Sequence, residues 1–259
     1  ALQQVAREVH ATDIVWNRRY EPAVVKRDTV IKKTLSEDGL HAESFGGSLL
    51  YEPSHIATKQ GNPYQVFTPF WRSLLARDEP AEPTAAPRKV KPVRTTVKSL
   101  SLNSLKLLPQ PDWSGVMTKT WNPGEAGAKK LLKSFLSQGL NSYDDGRNRP
   151  DQQGTSSLSP HLHFGEISPT EAVQTVKQAG ILNADESQAE HFIRELAWRE
   201  FSYYTLYHFP HLCQQNMRSQ FDHFPWVKDE KNLICWQQGE TGFPLIDAGM
   251  RELRQTGYM

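Results

Sequence analysis

Pro80, Pro83, Pro87 and Pro92, with Ala, Thr and basic residues between them, divide this chain in two. Proline has no backbone N–H to give to a helix interior or a central strand, so neither element can run through this stretch. Residues 79–110 are therefore expected to form an extended interdomain linker on the surface. Arg88, Lys89, Lys91, Arg94 and Lys98 within it are basic enough to touch DNA, but a solvated basic linker is the simpler reading. The two sides, 1–78 and 111–259, can then be read separately.

Before the linker the pattern is α/β. Thr12–Trp16 is a short apolar strand candidate. Val24, Asp28, Ile31 and Leu35 recur at helical spacing, with Gly39 placed to cap the helix. His41–Phe45 reads as the next strand, and strands joined so closely through one helix suggest a parallel crossover. Thr68-Pro69 starts a short helix through Phe70, Trp71, Leu74 and Leu75.

Beyond the linker the signals are all helical. Asn122-Pro123-Gly124-Glu125 offers a cap, a first-turn proline and an acidic third position, and Gly139 marks the stop. Ser168-Pro169-Thr170-Glu171 is a second capping box, with a stop expected at Gly180. A longer helix begins near Asp185, and a last one follows Gly242-Phe243-Pro244. The expected fold class is thus an α/β remnant followed by an all-α domain. No internal repeat is present.

The bulk numbers exclude little. A chain of 259 residues suffices for one large domain or two smaller ones. No apolar run reaches bilayer-spanning length, so no membrane partner is expected. Ala1-Leu2-Gln3-Gln4 has no initiator Met and no signal peptide, and reads as a cut. The two cysteines, Cys213 and Cys235, make no disulfide framework, which fits a reducing, cytoplasmic setting. A formal charge of +1 does not announce nucleic-acid binding, so any DNA contact must come from a local patch.

Three clusters carry chemistry. Thr155, Ser156, Ser157 and Ser159 supply four hydroxyls just before a helix start at Pro160. Such donors suit a diphosphate, although the run taken alone reads as a Ser-rich turn. Tyr143 and Arg147 share a face if their stretch is helical, but the intervening Asp144-Asp145-Gly146 argues for a turn. Glu195, Trp198, Arg199 and Ser202 fall at i, i+3, i+4 and i+7, while Ile193, Ala197, Phe201 and Tyr204 take the opposite side. A Glu–Arg pair at this spacing is usually a weak surface ion pair. A Trp between them points instead to a surface that holds a base by stacking and hydrogen bonding. Phe224, Trp226 and Trp236 read by default as packed aromatics. His161 and His163 have no further Cys or His to complete a zinc site.

Taken in order, these motifs resemble the DNA photolyase/cryptochrome family, and nearly the whole chain takes part. Asn17–Pro22 and Tyr64–Phe70 resemble the end of its antenna domain. Trp121–Glu125, the Thr155–Ser159 run, His163–Pro169, Trp198–Phe201 and Thr241–Pro244 resemble its helical flavin domain. The resemblance is strongest to a class I-type cyclobutane pyrimidine dimer photolyase lacking both termini. It implies that Tyr143, Thr155, Ser156, Ser157, Leu158, Ser159 and Phe192 hold FAD, with Glu195 also near it. It implies that Arg147 touches DNA phosphate, and that Glu195 and Trp198 face the dimer with Arg199 and Ser202 alongside. Trp226 matches the outer tryptophan of the electron chain. The implied partner is DNA containing pyrimidine dimers, bound by a monomer and repaired by an electron from light-excited reduced FAD. Extruding a poorly stacked base costs less than extruding a normal one, photolyases being an established example of such extrusion.

The resemblance has departures. The chain starts inside the antenna domain and ends before further DNA and flavin contacts, including the two inner tryptophans, so alone it is expected to be inactive. Val24 stands where folate-using members carry Glu, which argues against a folate antenna and leaves a deazaflavin or none. A cryptochrome receptor is the alternative within the family; keeping both Glu195 and Trp198 favours dimer repair. A cofactor-free helical binding module is the alternative outside it.

Overall fold

The computed structural model describes residues 1–80, 82–92, 97–182 and 185–259. Arg94, one of the basic linker residues, lies outside them. In chain order the elements are α1 (Leu2–Glu8), β1 (Asp13–Asn17), α2 (Pro22–Glu37), β2 (His41–Phe45), α3 (Phe67–Leu75), α4 (Met117–Thr120), α5 (Glu125–Gln138), α6 (Tyr143–Gly146), α7 (Ser159–Phe164), α8 (Pro169–Leu182), α9 (Glu186–His208), α10 (Glu230–Gln238) and α11 (Pro244–Thr256). Short 3-10 turns lie between some of them. Among the described residues no helix or strand occurs from Ala76 to Ser101, as the prolines require. The molecule is mostly helical, with a two-stranded parallel sheet that pairs Asp13 with His41 and Asn17 with Phe45. The expected crossover through a helix is present as β1–α2–β2.

Two compact units form. One comprises residues 1–97 and 124–217, the other 98–123 and 218–259. In the first, α9 is the central element and packs on α3, α6 and α8. Phe67, Phe70, Trp71 and Leu74 of α3 recur at i, i+3, i+4 and i+7, and all four are buried. They join Leu132, Phe135, Val176, Phe192, Leu196 and Tyr204 in one core. Full burial of such side chains contributes about 1.5–3 kcal/mol each before conformational entropy is counted.

Several expectations about helix ends are corrected. α3 starts at Phe67, so Thr68 lies inside it and does not cap it. Asn122 and Pro123 do not open a helix: α5 starts at Glu125, and Gly124 takes the cap position at φ 98°. Gly180 does not stop α8, which continues to Leu182. A Cβ at Gly180 would lie 2.8 Å from the Ala189 Cβ, so the glycine serves the close approach of α8 and α9. The capping box at Ser168 is present, with the Glu171 N–H donating to Ser168 Oγ at 3.0 Å. Asp185 likewise caps α9 through the Gln188 N–H.

The irregular segment between β2 and α3 finds its hydrogen-bond partners on α9. Leu50 N–H donates to the Glu200 carboxylate at 2.8 Å, and Arg199 donates to the Ser48 carbonyl at 2.7 Å. Tyr204 donates its hydroxyl to the Ile56 carbonyl (3.0 Å) and accepts from Tyr64 N–H (2.9 Å). His208 Nε2 lies 3.2 Å from the Pro53 carbonyl. Glu52 in the same segment pairs with Arg18 at 2.8 Å and accepts from the buried Tyr20 hydroxyl at 3.0 Å.

In the second unit α10 and α11 pack together and α4 lies on α11. Asp247 accepts from Thr241 N–H, the Thr241 hydroxyl and Gly242 N–H, which fixes the turn before α11. The Thr241 hydroxyl leads in holding its carboxyl below the usual range. Trp121 Nε1 donates to the Thr256 carbonyl at 2.6 Å.

Glu200 is 3% exposed, and burial pushes its carboxyl up from 4.5 to about 8 against the opposing pull of Leu50 N–H and Arg199. Between those values the folded protein keeps a proton that the unfolded chain has released. The resulting stability is full below about pH 4.5 and is lost as pH rises through about 8. Glu200→Gln keeps an acceptor for Leu50 and is expected to remove a slope of up to about 1.4 kcal/mol per pH unit across that window. Urea titrations at several pH values check this, and an unchanged slope would contradict it.

Candidate functional site

The site grows from one stripe of α9. Gln188, His191 and Glu195 lie about two turns apart in all and face the short helix α6. Gln188 Oε1 accepts from Asp144 N–H at 2.9 Å, and His191 Nδ1 lies 3.0 Å from Asp144 Oδ1. Arg147, just past α6, pairs with Glu195. Hydrogen bonding to that carboxylate holds the guanidinium even more firmly charged. The stretch from Tyr143 to Gly146 is therefore one helical turn and not the loose turn expected from its acidic residues and glycine. Contacts with α9 outweigh local propensity there.

Tyr143 and Phe192 meet edge to face at 5.5 Å, and both pack on Phe135. Both are buried, Tyr143 at 5% and Phe192 at 3% exposure. Their side chains thus belong to the core beneath the site.

The hydroxyl run reaches this place through a backbone contact. A Cβ at Gly154 would lie 2.3 Å from the Gly146 carbonyl oxygen, a distance no side chain tolerates. Thr155, Ser156 and Ser157 consequently begin beside α6, although far from it along the surface excursion between the two glycines. Ser156 Oγ accepts from Leu158 N–H at 3.4 Å, and Ser157 takes a left-handed φ of 52°. Leu158 turns into the core at 2% exposure. The helix that follows starts at Ser159, one residue before the expected Pro160. His161 is buried and paired with Glu166, which gives it a structural partner.

Trp198 lies one turn beyond Glu195 and is 45% exposed. One of its faces stacks on Phe67 of α3, with ring centres 3.6 Å apart and planes 8° from parallel. Phe201 meets it edge-on at 6.1 Å. Ser202 is exposed, its hydroxyl donating to the Trp198 carbonyl at 3.0 Å. Arg199 is drawn away to Ser48 and lies over the Tyr203 ring at 5.0 Å. Trp226 belongs to the other unit, is 77% exposed and rests against Phe224 at 4.7 Å.

The structure therefore brings Tyr143, Arg147, Phe192 and Glu195 together, joins the 155–159 run to them, and sets Trp198 on the same helix. Sequence reasoning missed Phe67, Gln188 and His191 as members of the site. Phe67 falls within a stretch already notable for its motif, but nothing local signals that it meets a ring 131 positions later. The arrangement offers a half-exposed aromatic face, a carboxylate, a guanidinium and several hydroxyls within one compact unit. Among the described residues no helix is long and apolar enough to cross a membrane.

Known proteins share features with this chain. The family model described as DNA photolyase matches residues 1–88, and that described as FAD binding domain of DNA photolyase matches residues 192–259. The chain is 43% identical to the deoxyribodipyrimidine photo-lyase of Agrobacterium fabrum (strain C58), over 100% of this chain and 54% of that protein. It is 33% identical to Cryptochrome-2 of Arabidopsis thaliana, over 100% of this chain and 44% of that protein. The crystal structure of a bacterial class III photolyase from Agrobacterium tumefaciens superimposes with a TM-score of 0.94 at 43% identity, covering 100% of this chain and 54% of that one. The sequence expectation is class I-type, whereas the Agrobacterium tumefaciens structure is of a class III photolyase. The chain spans about half the length of the relatives it matches.

The Gly146–Gly154 contact is testable by itself. Gly154→Ala is expected to destabilise the protein by about 1–3 kcal/mol, the usual cost of overpacking, because backbone rather than a flexible side chain must yield. Denaturant unfolding checks this, and a neutral result would mean that the two segments are not pressed together.

Proposed function

Because the chain belongs to the DNA photolyase/cryptochrome family, we propose that the whole protein holds FAD and uses light to reverse cyclobutane pyrimidine dimers in DNA. The observation that carries this reading is Trp198, backed on one face by Phe67, half exposed, and one turn from the Arg147–Glu195 pair. A flat apolar ring beside a carboxylate suits an extruded base, photolyases being a standing example of that device.

The residues present fit FAD. The Thr155, Ser156, Ser157 and Ser159 hydroxyls, near Arg147 across the Gly146–Gly154 contact, form a donor set of the kind a diphosphate takes. Tyr143, Leu158 and Phe192, being buried, would supply backbone groups and the packed wall beneath. When bound, the reduced cofactor supplies under light the electron that opens the dimer ring.

The chain's own residues do the placing. Trp198 packs against the dimer and excludes water from it. Glu195 hydrogen-bonds to the pyrimidine edge, and Arg147 both holds that carboxylate and faces DNA phosphate. Ser202 adds an exposed hydroxyl on the same side. Arg199, bonded to Ser48, is given a structural role instead. Trp226 suits the outer end of an electron chain, since it is the most exposed tryptophan.

A cryptochrome, binding the same flavin without repair, is the second reading, favoured by the match to Cryptochrome-2. Loss of thymine dimers in the light but not in the dark, measured with the whole protein and reduced flavin, separates the two. Bound flavin without repair would favour the receptor, and a protein with no flavin bands would favour a cofactor-free module. Trp198→Ala is expected to weaken binding to dimer-containing DNA about tenfold or more, the stacking contribution being about 1–3 kcal/mol, with flavin content unchanged. Loss of flavin at unchanged DNA affinity would move Trp198 to the cofactor side.

A further inference from the structure

The face of Trp198 that meets Phe67 cannot meet anything else. Ring centres 3.6 Å apart and planes within 8° mark a full face-to-face stack, whereas Phe201 meets both of these rings edge-on. Phe67 is itself packed on other sides. It is 4% exposed, it sits in the first turn of α3, and the Phe201 ring meets it edge-on at 5.9 Å. The Arg194 guanidinium lies 5.9 Å from its ring centre, one turn before Trp198 on α9.

Chain topology makes the pairing informative. Phe67 comes from the stretch matched by the DNA photolyase model, and Trp198 from the stretch matched by the FAD-binding model. A tryptophan that is 45% exposed on a helix surface would ordinarily sample several rotamers. A flat platform beneath it removes that freedom before any ligand arrives, and binding then costs less ordering entropy.

We infer that Phe67 is a positioning residue for damage recognition: its ring fixes the plane of Trp198, so that selectivity for dimer-containing DNA is built jointly by α3 and α9. This rests on the reading of Trp198 as the residue that faces the dimer. Phe67 touches neither DNA nor cofactor and acts through Trp198 alone.

A double-mutant cycle on the whole protein tests it, read as the ratio of affinities for dimer-containing and undamaged DNA duplexes in the dark. Measurement is made below the melting temperature of every variant. Phe67→Leu keeps apolar volume but removes the ring, and is expected to lower the ratio about three- to tenfold. Phe67→Tyr keeps the ring and is expected to retain it. In the combined Phe67→Leu, Trp198→Ala protein the ratio should fall no further than in Trp198→Ala alone. Additive losses, or equal losses from the Leu and Tyr variants, would overturn the inference. A Trp198→Ala protein with an undiminished ratio would overturn both this inference and the site reading beneath it; a diminished one with Phe67→Leu unchanged would overturn this inference only.

Discussion

Everything around the site depends on where the backbone of residues 46–64 finds its hydrogen bonds. That segment has a single 3-10 turn and no strand or α-helix, so its buried N–H and C=O groups have no regular partners of their own. Side chains of α9 supply them: Glu200 to Leu50, Arg199 to Ser48, Tyr204 to Ile56 and Tyr64, His208 to Pro53. Glu200, Tyr204 and His208 fall at successive i+4 positions, which makes them one stripe of the helix. Since Tyr64 is only three residues before α3, this stripe also decides where α3 lies. Phe67 is delivered beneath Trp198 as a result.

The same helix presents two carboxylates with opposite fates. Glu195 is partly exposed and neutralised by Arg147 at close range. Glu200, five residues on, points to the other side and is buried, so desolvation drives it toward the protonated form. Neither behaviour is a property of glutamate in a helix. Each follows from which wall of the first unit the side chain meets, and the stripe facing α6 differs from the stripe facing the 46–64 segment. Trp198 continues the first stripe one turn on, stacked on one face by Phe67 and met edge-on by Phe201.

Much of this was legible in the sequence where local rules suffice. The proline-rich break, the parallel strand pair, the Ser168 capping box and the α9 stripe of Glu195 and Trp198 all follow from period, cap or proline chemistry. What failed were inferences that needed a distant partner. Gly180 reads as a helix stop by itself, yet Ala189 of the next helix gives it its use. The acidic pair and glycine after Tyr143 read as a turn, yet Gln188 and His191 hold them helical. Arg199 sits at the correct helical interval for the polar face, but its long side chain swings to Ser48. Spacing fixes a Cβ direction and leaves the end of a long side chain free. Phe67 lay within a recognisable motif and a helical stripe, but neither showed its partner, because a stack between rings of two separate helices leaves no periodic trace.

The pressed contact between Gly146 and Gly154 has one more consequence, for how freely this surface can diverge. Residues 148–153 between the two glycines are all exposed; the first two bond back to α6, Asn148 N–H to the Asp145 carbonyl and Arg149 N–H to the Gly146 carbonyl, while the two glycines are pressed together. Closing a longer loop adds entropy only logarithmically, about 0.6 kcal/mol per doubling. Residues 150–153 can therefore lengthen or change composition while α6 and the hydroxyl run stay in register, so they are the natural place for relatives to differ and for a reporter sequence to be grafted.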